Sequence, residues 1–112
     1  MSEFFTILWW LLMAHAFTDY IWQSPEMGKY KQPDSNPPSN YGPWYWHMIA
    51  HGLINAAGVN FVTGSVWLGV GEFLVHISLD YSKCRGWCSA WDDQIGHLLS
   101  KVAWALCLVL VQ

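Results

Sequence analysis

The stretch WYWHMIAHGLINAAGVNFVT, residues 44–63, decides the fold because it contains no Asp, Glu, Lys or Arg. A helix of about 20 apolar residues is long enough to cross the roughly 30 Å hydrocarbon core of a bilayer. Three further stretches of similar length are mainly apolar, namely residues 4–23, 66–83 and 91–111. The sequence therefore predicts an all-α integral membrane protein with four spans, which form a single transmembrane domain over residues 1–112.

The connections between the spans predict how the helices pack. Gly64-Ser65 joins the second span to the third, and residues 84–90 join the third to the fourth. Short joints of this kind force neighbouring helices to run antiparallel. Residues 24–43 are predicted to be a loop, because prolines at positions 33, 37 and 38 prevent a continuous helix. The predicted architecture is an antiparallel four-helix bundle.

The low content of charged residues favours a membrane protein over a soluble bundle. Charged residues make up 12% of this chain, whereas they make up about 25% of an ordinary soluble domain. A soluble bundle would also need a charged face on each helix, and residues 44–63 and 102–111 carry no charged side chain. The net charge of −3 argues against a nucleic-acid partner, which requires clustered basic residues. The lipid bilayer is the expected partner.

The first span has a second interpretation as a signal peptide. Residues 4–13 form an apolar core, and Ala14-His15-Ala16 has the small-x-small pattern of a cleavage site. A signal peptide begins with basic residues, however, and here Glu3 precedes the apolar core without any Lys or Arg. We therefore expect a retained first span.

The basic residues predict the orientation in the membrane. Lys29 and Lys31 lie in the first loop, and Lys83 and Arg85 flank the third. Both loops belong to one end of an alternating bundle. By the positive-inside tendency, that end faces the cytoplasm from the inner (cytoplasmic) membrane, and both termini lie on the far side.

Every span contains a pair of polar residues spaced four apart, and these pairs use all five histidines. Residues at this spacing lie on one face of a helix, one turn above each other. The pairs come late in spans one and three and early in spans two and four, so all of them belong to the cytoplasmic end. The eight residues are His15 and Asp19, His47 and His51, His76 and Asp80, and Asp93 and His97.

The residue types in these pairs predict a transition-metal site. Imidazole and carboxylate together suit zinc most, and also iron or manganese, whereas calcium and magnesium prefer oxygen ligands alone. Asp19, Asp80 and Asp93 are the candidate catalytic bases. Four further polar residues continue the same faces and are candidates for orienting the ligands: Gln23, Asn55, Lys83 and Gln94. For any single pair, a hydrogen-bonded core role is the competing interpretation.

Several motifs resemble the family called domain of unknown function 3307, which comprises small multi-pass membrane proteins of bacteria and their phages. The matching segments are AHAFTDYIWQ at 14–23, HISLDYSK at 76–83 and DQIGH at 93–97, together with His47 and His51. More distantly, the order of the pairs is similar to that of membrane-bound metal-dependent hydrolases. The resemblance implies that the family pattern includes His15, Asp19, Gln23, His47, His51, His76, Asp80, Lys83, Asp93, Gln94 and His97.

Three functional hypotheses follow from these residues. The first is a metal-dependent hydrolase that acts at the membrane interface on a lipid or a membrane protein. The second is a non-enzymatic phage or bacterial membrane factor that binds a host membrane partner, with a structural polar cluster. The third, a proton or ion path, is disfavoured because the far half of the bundle has few polar groups beyond Glu72 and Asn60. The sequence leaves the oligomeric state open.

Overall fold

The computed structural model describes residues 2–111. Within them are five α-helices and no strand, which confirms the all-α prediction. A π-helical turn and a 3₁₀ turn complete the secondary structure. In chain order the elements are α1 (Ser2–Ala16), the π turn (Phe17–Ile21), α2 (Pro25–Tyr30), the 3₁₀ turn (Ser39–Tyr41), α3 (Trp44–Thr63), α4 (Val66–Cys84) and α5 (Ala90–Val111).

The prediction that residues 24–43 form a loop throughout is wrong at its start, where α2 forms. Ser24 caps this helix, since its Oγ accepts a hydrogen bond of 3.1 Å from the backbone N–H of Met27. Pro25 occupies the first turn, where a missing N–H costs nothing. Pro33, Pro37 and Pro38 all lie beyond Tyr30, so they do not interrupt this helix.

Short capped turns connect the last three helices. Gly64 ends α3 in the left-handed region, with φ of 70°, a conformation that suits glycine. Ser65 then caps α4, since its Oγ accepts a bond of 3.2 Å from the N–H of Leu68. Ser89 and Asp92 cap each other's backbone N–H groups at the start of α5, with both bonds at 3.1 Å. These turns reverse the chain twice within a few residues.

The four long helices pack as a closed ring. α3 contacts α1 and α4, and α5 contacts α4 and α1. A small residue brings α3 and α4 together, since a Cβ added to Gly69 would lie 3.2 Å from the backbone oxygen of Ala56. The ring encloses a narrow interior to which every helix contributes one face.

The interior of this bundle is largely polar and its outer surface is largely apolar. The buried apolar residues Leu11, Val59 and Ala105 form a small core. It lies toward the end of the bundle at which α1 begins and α5 ends. Large apolar side chains instead cover the outside, as Trp9, Trp67 and Leu99 illustrate with exposed fractions of 63%, 82% and 63%. Two helical stretches, Glu3–Ile21 and Ala90–Val111, are long and apolar enough to cross a membrane.

Candidate metal centre

A π turn carries the first polar residues into the bundle. The N–H of Trp22 bonds to the oxygen of Phe17 at 2.8 Å, which is the i to i+5 spacing of a π-helix. The Thr18 hydroxyl shares its one proton between the Ala14 backbone oxygen at 2.9 Å and Asn55 Oδ1 at 2.7 Å, which fixes the turn against α3. Single π turns within helices recur at functional sites because they reorient the side chains that follow.

Asp19, His51 and His76 come together from three different parts of the chain. Asp19 Oδ1 lies 2.9 Å from His51 Nε2 and 3.5 Å from His76 Nε2. One potential ligand atom from each of the three lies within 4.8 Å of the other two. Both imidazoles have an exposed fraction of 0%. This trio, which we call the Asp19 group, has the donor set and spacing of a transition-metal site.

A second trio, Glu72, His76 and His97, meets the same distance criterion and shares His76 with the first. Glu72 Oε2 lies 3.3 Å from His76 Nδ1, the side of the ring that faces away from Asp19. Carboxylates in this position orient ligating histidines and fix their tautomers. Lys101 Nζ lies 2.8 Å from Glu72 Oε1, and an ammonium group this close repels a cation. We therefore assign Glu72 an orienting role toward His76.

The Asp19 group is surrounded by residues that hold it in place. His15 Nε2 lies 3.6 Å from Asp19 Oδ2. The side-chain amide of Gln94 contacts both residues, with its Oε1 3.5 Å from His15 Nε2 and its Nε2 3.5 Å from Asp19 Oδ2. Asn55 Nδ2 donates to the backbone oxygen of His51 at 3.0 Å. Gln94 therefore contacts two polar side chains of the cluster, whereas Asn55 contacts the backbone of α3; their orienting roles stay predictions.

Asp80 and Asp93 lie beside the Asp19 group and share Lys83. Lys83 Nζ lies 3.6 Å from Asp80 Oδ1 and 3.5 Å from Asp93 Oδ2. Asp80 also lies 3.7 Å from His51 Nε2, and Asp93 lies 3.2 Å from His97 Nε2. Both carboxylates are buried, so the structure brings all three predicted catalytic carboxylates to one end of the bundle.

Lys31 closes the cluster from the loop side. Its Nζ lies 2.8 Å from Asp80 Oδ2 and donates a hydrogen bond of 2.7 Å to Gln23 Oε1. Although it belongs to a surface loop, its exposed fraction is only 5%. Gln23 therefore holds the loop lysine rather than a histidine ring.

His47 does not join the cluster. Its Nε2 lies 2.8 Å from the backbone oxygen of Tyr41, and its ring lies 5.7 Å from that of Tyr30. His47 precedes His51 by one helical turn, and four residues of helix rise about 6 Å. This rise moves His47 out of the bundle interior and into contact with the loop that follows α2.

The buried polar atoms of the cluster fit a bound cation. His76 Nε2, which lies 3.5 Å from Asp19 Oδ1, has no hydrogen-bond partner within residues 2–111. An unsatisfied buried polar atom costs about 1–3 kcal/mol, and a cation held between Asp19, His51 and His76 would satisfy this nitrogen. Asp19 forms ion pairs only with histidines in the described part of the chain, so no ammonium group competes with a metal there.

A profile of the family described as "Protein of unknown function (DUF3307)" matches residues 7–112, nearly the whole chain. The chain belongs to this family. The resemblance of the sequence motifs to this family is thereby confirmed, whereas the more distant similarity to metal-dependent hydrolases stays a prediction. No curated protein and no solved structure matches the chain.

Sequence reasoning missed two lysines of the site in this DUF3307 protein. Lys101 follows Asp93 and His97 at intervals of four, and this helical spacing indicates that all three residues lie on the same face. Lys31 lies in an irregular segment, where no periodicity predicts which side chains point inward. Its contact with Asp80 arises from tertiary folding alone.

Proposed function

We propose that this protein is a multi-pass membrane protein of the inner membrane that binds a divalent transition metal, zinc first, between its helices. In this proposal the metal site lies at the cytoplasmic end of the bundle, and the protein is a hydrolase that acts at the membrane interface. The observation that carries the metal proposal is the Asp19 group, in which one carboxylate and two fully buried imidazoles converge.

The membrane part of the proposal rests on the inverted distribution of polar and apolar residues. Charged and polar side chains such as Glu72, His76 and Lys101 are almost fully buried, while Trp67, Phe61 and Leu110 are exposed by 80% or more. Exposing such a surface to water would be strongly unfavourable. Extended apolar surfaces mark contact with a membrane or a partner. Most of the two most apolar helical stretches is not buried within the chain, which does not fit a core helix of a soluble protein.

The charges of the cluster support a bound cation. The interior places four carboxylates against three ammonium groups, which leaves an excess of negative charge while the histidines are neutral. In a poorly solvated interior, an uncompensated charge is costly. The carboxylates are Asp19, Glu72, Asp80 and Asp93, and the ammonium groups are Lys31, Lys83 and Lys101.

The chemistry follows from the residues beside the proposed metal. A bound zinc ion supplies Lewis acidity that makes water a competent nucleophile near neutral pH. Asp93 contacts His97, so this pair can accept a proton and disperse the resulting charge. Lys83 is 36% exposed, which leaves its ammonium group accessible to an anionic part of a substrate. An ester, amide or phosphoester at the headgroup level is the substrate class that this arrangement suits.

The test compares two histidines on the same helix. Full-length protein without a histidine tag is purified, and its metal content is measured by mass spectrometry for the wild type, His51→Ala and His47→Ala. We expect about one metal ion per chain in the wild type, loss of metal in His51→Ala, and retention in His47→Ala. Because both substitutions remove an imidazole from α3, general damage to the helix affects both.

Two results would overturn the metal centre. One is a wild-type content well below one ion per chain that added zinc, iron or manganese does not restore. The other is an equal loss of metal from the two variants, since His47 contacts the loop instead of the cluster.

A non-enzymatic role is the second candidate, and the closure of the cluster favours it. His51, Glu72 and His76 each have an exposed fraction of 0%, so substrate would need movement of the loop that contains Lys31. Ion pairs across four helices would then hold the bundle together for a membrane factor that binds a host partner. Under this alternative, substitutions in the cluster lower thermal stability and biological function in strict proportion.

A further inference from the structure

An apolar cleft runs along the outside of the bundle between α1 and α3. It has a volume of about 450 Å³, and its walls are contributed by large side chains and by small residues of the two helices. The polar cluster lies on the other side of the same two helices. The residues that define the cleft are Trp10, Phe17, Trp22, Ala57, Gly58 and Phe61.

The dimensions of the cleft limit what it can hold. Trp10 and Trp22 both line it, and these positions are twelve residues apart, which corresponds to at most about 18 Å at the α-helical rise. The space open to the centre of a water molecule is about 450 Å³, and distributed over this length it is about 5 Å wide. A water radius of about 1.4 Å at each wall makes the cleft itself about 8 Å wide. A helix with its side chains is about 10–12 Å across, so the cleft is too narrow for a helix of a second copy.

The direction of the cleft matches that of a lipid in one leaflet. Trp22 is three residues from Asp19, at the level of the cluster, whereas Phe61 lies ten residues beyond His51, toward the opposite end. Half of a hydrocarbon core is about 15 Å thick, which is close to the length of the cleft. A chain that enters beside the cluster would run parallel to the helices toward the middle of the membrane.

The cleft has almost no polar lining, and its one hydroxyl already has hydrogen-bond partners inside the bundle. Thr18 is the polar side chain among its lining residues, and its hydroxyl donates inward to Ala14 and Asn55. The cleft thus presents apolar surface with no hydroxyl directed at an occupant. Through Asn55, which donates to the backbone of His51, the wall of the cleft connects directly to the Asp19 group.

We infer that this cleft binds one acyl chain of a bilayer phospholipid and places the lipid's ester region at the level of Asp19 and His51. The inference rests on the membrane placement in the proposed function and identifies lipid as the substrate class that the neighbouring site would meet. It requires neither a bound metal nor catalysis, so it can be tested separately from both.

The test uses full-length protein in nanodiscs of phosphatidylethanolamine and phosphatidylglycerol, with a trace of phospholipid that carries a diazirine in the middle of one acyl chain. After irradiation, mass spectrometry of peptides locates the adducts. Ala57→Trp fills the cleft from an exposed position. Ala103→Trp is the matched control, because it places the same bulk on an exposed position of α5 outside the cleft.

We expect adducts to concentrate on the cleft side of α1 and α3. Ala57→Trp should reduce them about tenfold. Excluding two methylene groups of the acyl chain from the cleft already weakens binding by about that factor. Ala103→Trp should leave them unchanged. Adducts spread evenly over the exposed faces of all helices, adducts insensitive to Ala57→Trp, or cross-links between two copies at the cleft would each overturn the inference.

Metal content and membrane fractionation of the same preparations separate this inference from the proposed function. If the wild-type protein is in the membrane and retains its metal but gives no cleft adducts, the lipid site is refuted and the metal centre is not. Cleft adducts on a protein that binds no metal uphold the lipid site and refute the metal centre. Recovery of the wild type in the soluble fraction refutes the membrane placement and the lipid site together.

Discussion

The buried pair of Glu72 and Lys101 provides the most direct test of the inverted interior. Lys101 Nζ lies 2.8 Å from Glu72 Oε1, and their exposed fractions are 2% and 0%. Trp104 Nε1 donates to the same carboxylate oxygen at 2.8 Å. Lys101→Met preserves side-chain length and removes the ammonium group, so Glu72 keeps its charge but loses its main partner.

We expect Lys101→Met to lower the free energy of unfolding by about 3–5 kcal/mol, the cost of leaving one member of a buried ion pair uncompensated. A loss of about 3 kcal/mol changes the unfolding equilibrium more than a hundredfold. The double variant Glu72→Gln/Lys101→Met removes both charges, while the amide oxygen can still accept the Trp104 N–H. We therefore expect its stability to be close to or above that of the wild type.

The assay is equilibrium unfolding in detergent by denaturant, followed by circular dichroism. Lys29→Met is the control, because Lys29 is an exposed lysine of α2 and should change stability by no more than about 0.5 kcal/mol. Equal effects of Lys29→Met and Lys101→Met would refute the buried pair. A double variant as unstable as the sum of Glu72→Gln and Lys101→Met would refute the compensation between the two charges.

Two further predictions concern the loop and the orientation. Lys31→Met should speed the removal of bound metal by a chelator, because Lys31 links Gln23 and Asp80 across the cluster; an unchanged rate would contradict the role of the loop as a cover. A reporter fused to the C-terminus should be inactive in the cytoplasm, since four of the five basic residues lie at the other end of the bundle; strong cytoplasmic activity would reverse the predicted orientation.

The helices and the faces of their polar residues could be predicted from the sequence. The second, third and fourth predicted spans match α3, α4 and α5 to within one residue, because long apolar stretches bounded by Pro, Gly and Ser leave few alternatives. The first predicted span is instead divided between α1 and the π turn, which ends at Ile21. Spacing by four placed Asp93 and His97 on one face, and the structure brings them within 3.2 Å of each other. These are local properties, which depend on residues within a few turns of each other.

The height of each polar residue along the bundle, and the residue that it contacts, could be found only from the tertiary structure. His47 and His51 share a helical face, yet only His51 reaches the cluster, since the two differ in height along α3 and the loop supplies Tyr41 to His47. Lys31 pairs with Asp80 from a segment without periodicity. The sequence by itself therefore determined the helices, their order and their polar faces, through local backbone preferences and hydrophobic periodicity. Only the tertiary structure decided which polar atoms meet, because distances of a few ångströms between helices depend on the packing of the whole bundle.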